Sequence, residues 1–150
     1  MTIKNQKGAS AVEFAIVLPL LLLLLFGIVE FGFLLYNQAM ITNAAREGAR
    51  FGIVYDPIRP TEVEIQTVVD NYAAAHLINF DPSQVITTNA EHLETSGPPE
   101  SAGTISAGDS LEVTVQYTYE FLVFPNLAKL AGGFFANIQN LKATVRMRYE

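Results

Sequence analysis

The residues able to do chemistry in this chain are few. It has 150 residues, two histidines (His76 and His92) and no cysteine. The absence of cysteine excludes disulfides, thiol catalysis and Cys-based zinc sites. His76 falls near the end of an expected helix and reads as a C-terminal cation or a core-edge residue; His92 lies in a polar stretch with no clustered partner. The 15 acidic residues are scattered over strand faces, caps and loops, without a convergent acid pair or a Ser/His/Asp set. Gly132-Gly133 lacks the Lys-Ser/Thr that a phosphate loop needs. No enzyme activity, metal or cofactor is expected. A net charge of -6 and a pI of about 4.8 leave no basic stripe for phosphate contacts, which excludes nucleic acid as the expected partner.

What remains chemically distinctive is a carboxylate in an apolar setting. Between Ala9 and Arg46 the only charged residues are Glu13 and Glu30. Phe14 to Tyr36 reads FAIVLPLLLLLLFGIVEFGFLLY, which spans roughly 35 Å as a helix, enough to cross a bilayer with some tilt. A removable secretory signal has a shorter apolar core followed by a small-x-small cleavage site, which this run lacks at its end. Glu13 falls in the first turns of the membrane helix, where an ionised carboxylate is costly and calls for a partner, or else sits at the interface favoured by the helix dipole. Glu30, 17 residues on, is about 25 Å further along and is expected to emerge at the outer interface. Pro19 removes one backbone donor, which membrane helices tolerate.

The elements that hold these residues follow from pattern. Asn37 to Val54 continues as an amphipathic stem. Ala44, Gly48 and Gly52 recur every four residues on one face with Ile41 and Ala45, so that another layer can approach the helix backbone. Asn43, Arg46, Glu47 and Arg50 form the wet face. Asp56-Pro-Ile-Arg-Pro60 stops the helix. Thr61-Glu-Val-Glu64 is a capping box, and Ile65, Val68, Val69 and Tyr72 carry a second helix to about Leu77. Val85 to Thr88 is a short strand candidate; Asn89 to Asp109, with Gly97-Pro-Pro99, reads as loop. Leu111 to Phe121 and Leu141 to Tyr149 alternate with period two, and if adjacent they set an acidic outer face beside a basic one. A short helix is expected within Asn126 to Phe135. The fold class is α+β: a long N-terminal transmembrane helix continuing into an amphipathic stem, packed by a small, mainly antiparallel sheet with one or two short helices.

The tract Lys7-Gly-Ala-Ser-Ala-Val-Glu-Phe, behind a short basic leader and opening the apolar run, resembles the class III signal of prepilins and pseudopilins. With FAIVLPLLLLLLFGIVEFG it is similar to the TadE-like family of tight-adherence (Flp-type) pilus systems; AAREGARFG in the stem is similar too. The resemblance is most specific over 7–32, looser to 52 and only topological afterwards. It implies cleavage of the Gly8–Ala9 bond by a membrane-embedded prepilin peptidase. Gly8 puts no side chain in the way of a protease holding extended backbone. Glu13 and Phe14 would serve recognition and assembly, with Glu13 meeting the new Ala9 ammonium of its own or a neighbouring chain. The implied division is a leader (1–8), membrane helix and stem (9–55) and an extracytoplasmic α+β domain (56–150).

The implied function is that of a minor pilin or pseudopilin, because major pilins of such systems carry little beyond the helix. Implied partners are membrane lipid, the peptidase, other pilin or pseudopilin subunits in a homo- or hetero-oligomer, and the pilus assembly platform with its motor ATPase. The implied location is a bacterial inner membrane, N-terminus inside and C-terminal domain outside, and an extracellular pilus after assembly. The alternative is a single-pass membrane-anchored extracytoplasmic binding protein that is not processed.

Overall fold

The computed structural model describes residues 6–54, 60–80, 86–93, 108–122 and 138–149. The expected helix over 126–135, the Gly97-Pro-Pro99 loop and most of the Asp56–Pro60 stop lie outside them, as does the side chain of His92. Helix α1 runs Gln6–Ile53 without a break at Pro19, and α2 runs Glu62–His76. Strands β1 (Ile86–Leu93), β2 (Ser110–Glu120) and β3 (Ile138–Arg148) form one antiparallel sheet in the order β1-β2-β3. The layout is α+β, as the pattern predicts. Two packing units divide it: α1 up to Phe33 belongs to one, and the described residues of Leu34–Glu120 and Ile138–Glu150 form the other.

Local chemistry accounts for the elements. At α2 the Thr61 hydroxyl accepts from the Glu64 amide at 3.3 Å, and the Glu64 carboxylate accepts from the Thr61 amide at 2.7 Å, the reciprocal bonds of a capping box. The Thr61 backbone N–H, followed by its hydroxyl, holds the Glu64 carboxyl below its ordinary range. One face of α2 buries Ile65, Val69 and Ala73. Val68 and Tyr72 flank that face and stay half-buried, so the core seam is displaced toward Ala73 from the one expected.

In β2 the alternation is complete: Leu111, Val113, Val115, Tyr117 and Tyr119 are all buried. Its outer face meets that of β3 in register, Glu112 opposite Arg146 and Gln116 opposite Lys142. Thr114 and Thr144 hydroxyls bond across this face at 3.0 Å. β1 corrects the sequence reading, because Asn89 to Leu93 is strand rather than loop. Asn, Glu and His have low strand preference, but β2 offers a full ladder, pairing Glu91 with Glu112 and Leu93 with Ser110. Thr88 and Ala90 point inward and are buried. The ladder and this burial override propensity.

The core of the larger unit lies where the stem meets α2 and the inner sheet face. Ile41, Ala44, Ala45 and Ala49 are fully buried, and Gly48 and Gly52 are buried with them. A Cβ at Gly48 would run into the Val69 side chain, with Ile65 at 3.5 Å and Val113 at 3.6 Å; at Gly52 it would run into Leu111 and Ile65. Bare helix backbone thus faces both α2 and β2 at these two turns.

Two outcomes test this packing. In an exposed helix, replacing Gly by Ala gains roughly 1 kcal/mol of propensity. At Gly48 the change meets a β-branched, fully buried Val69 that has no rotamer to yield, so Gly48→Ala should instead destabilise the unit by about 1–3 kcal/mol, read as a lower urea midpoint by near-UV circular dichroism. A midpoint that rises would exclude the close approach. Burial, reinforced by Tyr119, pushes the Tyr117 hydroxyl from 10.0 up to about 12. A raised folded value means that the folded chain keeps a proton the unfolded chain releases. Its contribution is therefore whole below pH 10 and lost as pH rises to about 12. Tyrosinate absorbance should show a late step that Tyr117→Phe removes.

Candidate functional site

The N-terminal part of α1 combines every residue the sequence singled out for processing with the most apolar surface of the chain. Gly8 and Ala9 lie in the first turns of α1 and are exposed, and a Cβ at Gly8 would meet nothing within 4 Å. Glu13 stands one helical turn beyond Ala9 on the same face. It is exposed and has no hydrogen-bond or ion-pair partner among the described residues. Phe14 beside it is 61% exposed.

From there the helix shows apolar side chains on every side. Ile16 is 72% exposed and Leu20 67%, and Val17, Leu21, Leu24, Leu25, Ile28 and Phe31 are open as well. Each such side chain is worth about 1.5–3 kcal/mol on leaving water. A helix bare all round is not soluble by itself; lipid or other apolar helices must cover it. None of its most apolar window is buried within the molecule, and its length and composition suffice to cross a membrane. Glu30 is buried within the molecule, at 3% exposure. An ionisable group on such a helix is retained by burial with partners, and Glu30 has an interaction of this kind.

The stem is anchored by residues that the hydrophobic pattern did not reveal. Asn37, fully buried, donates from Nδ2 to the Ile78 carbonyl at 2.8 Å and accepts from the Ile78 amide at 3.0 Å. One side-chain amide thereby satisfies both backbone groups of a residue just past the end of α2. Its only signal in the sequence is its place as the first polar residue after the apolar run. Gln38 donates to the Lys142 carbonyl of β3 at 3.1 Å. On α2, Gln66 donates to the Thr88 carbonyl at 3.2 Å, and the Thr88 hydroxyl donates to Asp70 at 3.3 Å. By contrast the wet-face residues bond only locally, Arg46 to Asn43 and Arg50 to Glu47, each at 3.2 Å. The Arg50–Glu47 pair is open to solvent and contributes little.

His76 is exposed, stacks on Tyr72 with centroids 4.3 Å apart and engages the Tyr72 carbonyl through Nδ1 at 2.8 Å. It closes its own helix and is not aimed at a ligand. Gly8, Ala9, Glu13 and Phe14 are thus gathered at one end of the bare helix, whereas Ala44, Gly48 and Gly52 lie in the folded core of the stem.

Residues 8–50, covering the bare helix and most of the stem, match the family model described as TadE-like protein. That match associates the chain with the tight-adherence pilus system. No curated protein and no solved structure matches the chain.

The Asn37 clamp has a measurable consequence. Asn37→Ala would leave the Ile78 N–H and C=O without their partner, at a cost of about 1–3 kcal/mol. The Ile78 amide should then exchange with deuterium much faster in the variant than in the parent chain, while β2 amides change only as far as global stability falls. Equal protection at Ile78 in the two proteins would show that the clamp holds nothing.

Proposed function

We propose that this protein is a minor pilin or pseudopilin: a structural subunit made as a membrane precursor, cut between Gly8 and Ala9 by a prepilin peptidase, and used to assemble a tight-adherence pilus or its secretion apparatus. The observation that carries it is the family match over 8–50, which begins at the residue before the proposed cut and runs on through the apolar helix. The exposed position of Gly8 and Ala9 supports access by a protease. Cleavage frees an ammonium at Ala9, one turn from Glu13. That carboxylate lacks a partner among the described residues, which supports a role in pairing with an N-terminus, its own or a neighbour's. In such an assembly the exposed apolar side chains of the helix from Phe14 to Tyr36 exchange lipid for the helices of other subunits, and the platform's motor does the work of extraction.

In this reading the short basic N-terminus stays in the cytoplasm and the α+β region is exported. Ala44, Gly48 and Gly52 then serve within the subunit, fixing the sheet and α2 on the stem, rather than between subunits. The protein performs no reaction; it is a substrate of the peptidase and a building block.

The test is the intact mass of the chain extracted from membranes of cells with and without an active prepilin peptidase. Loss of Met1 to Gly8 is expected only when the peptidase works, and Gly8→Leu should abolish it. Glu13→Gln should be cut normally yet fail to enter filaments, because the neutral amide cannot pair with an ammonium. A chain that keeps Met1 to Gly8 in both cells would instead be a membrane-anchored binding protein.

A further inference from the structure

Among the described residues β3 is paired on one side only, by β2. It has 11 residues, roughly twice the usual strand length. Its register with β2 runs without a skipped residue from Ser110 opposite Arg148 to Glu120 opposite Ile138. Neither a bulge nor a proline interrupts it, although edges are commonly blunted by both. The parity of the ladder is set at its end, where the Tyr149 amide donates to the Asp109 carbonyl at 2.8 Å. Odd-numbered residues of β3 therefore bond to β2, and even-numbered residues turn their N–H and C=O groups to the open edge. Gln38 reaches the Lys142 carbonyl there. The backbone groups of Thr144, Arg146 and Arg148 have no partner among the described residues.

The side chains beside this edge state what would fit it. On the outer face stand Lys142, Thr144, Arg146 and Arg148, all exposed. Arg146 Nε donates to the Ser110 hydroxyl at 2.7 Å and Arg148 Nε to the Gly108 carbonyl at 3.2 Å. Each guanidinium is thus held by one nitrogen with its other N–H groups available, around an open pocket lined by both arginines, Ser110 and Gly108. Neither arginine enters an ion pair among the described residues, although Glu112 stands opposite Arg146 across the strands. On the inner face Leu141 and Ala143 are buried, but Val145 and Met147 are only half-buried, so apolar cover is incomplete along the same stretch.

We infer that the edge of β3 from Thr144 to Arg148 is a docking site for an extended strand of another protein, one that alternates acidic with apolar residues. Its backbone would complete the ladder, its carboxylates would meet Arg146 and Arg148, and its apolar residues would cover Val145 and Met147. The basic row acts against a second copy of β3, since self-pairing sets Lys and Arg against like charge. The other sheet edge is less suited to an acidic strand, because β1 carries Glu91 where β3 carries arginines, and Gln66 of α2 occupies its Thr88 carbonyl. The inference does not depend on cleavage at Gly8.

The probe is a short synthetic peptide of alternating Val and Glu, added to the full-length chain in detergent micelles at low salt. Binding is read by fluorescence anisotropy and by deuterium exchange. The Val/Glu peptide should bind about tenfold or more tightly than its Val/Lys counterpart, as two cross-strand charge pairs imply. It should protect the amides of Thr144, Arg146 and Arg148. N-methylation of its alternate amides should abolish binding. Arg146→Glu with Arg148→Glu should reverse the preference; the peptide and exchange comparisons on the parent chain stand even where that variant fails to fold. Equal binding of the two peptides, indifference to N-methylation, no binding, or protection of these amides by the chain alone as its concentration rises would each overturn the inference, the last by assigning the edge to self-association.

Discussion

The larger unit depends on how closely a helix backbone can approach two neighbours at once. Gly48 and Gly52 expose bare backbone one turn apart, with Val69 and Ile65 of α2 on one side and Leu111 and Val113 of β2 on the other. Ala44, Ala45 and Ala49 extend the thin surface along the same stem. Larger residues would lift the sheet off the helix and open voids along the interface. With no cysteine to tie it together, this unit depends on packing, and the small residues make that packing dense.

The same helix meets opposite demands along its length. Toward the N-terminus it is large, aliphatic and open on all sides, as a segment in lipid or among other helices must be. Toward the C-terminus it is small on one face and charged on the other, as a helix between water and a sheet must be. The polar residues at the change act on backbone: Asn37 closes the end of α2 and Gln38 holds β3. A chain with TadE-like sequence over 8–50 thus combines one segment that needs a partner with one that packs a core of its own. Such a division is compatible with the proposed role as an assembling subunit.

Much of the fold is legible in local pattern. The apolar run, the Thr61–Glu64 box and the two alternating strands each depend on neighbours a few residues away, and each appears where that pattern places it. Fewer signals mark β1 beyond Thr88, since Asn89, Glu91 and His92 resemble loop residues. The burial of Glu30 is likewise unmarked, because its position along the helix axis says nothing of what packs against it.

The sequence by itself determined the membrane-length helix, the leader-like tract with Gly8 and Glu13, the small-residue face and the period of the strands. These are properties of spacing, and spacing along a helix or strand is set by fixed geometry. Only the tertiary structure decided that β1 extends to Leu93, that Asn37 clamps Ile78, and that among the described residues β3 rather than β2 lies at the edge with its even-numbered backbone groups turned outward. Those outcomes join residues far apart in the chain, and no local periodicity records which distant backbone will need a partner.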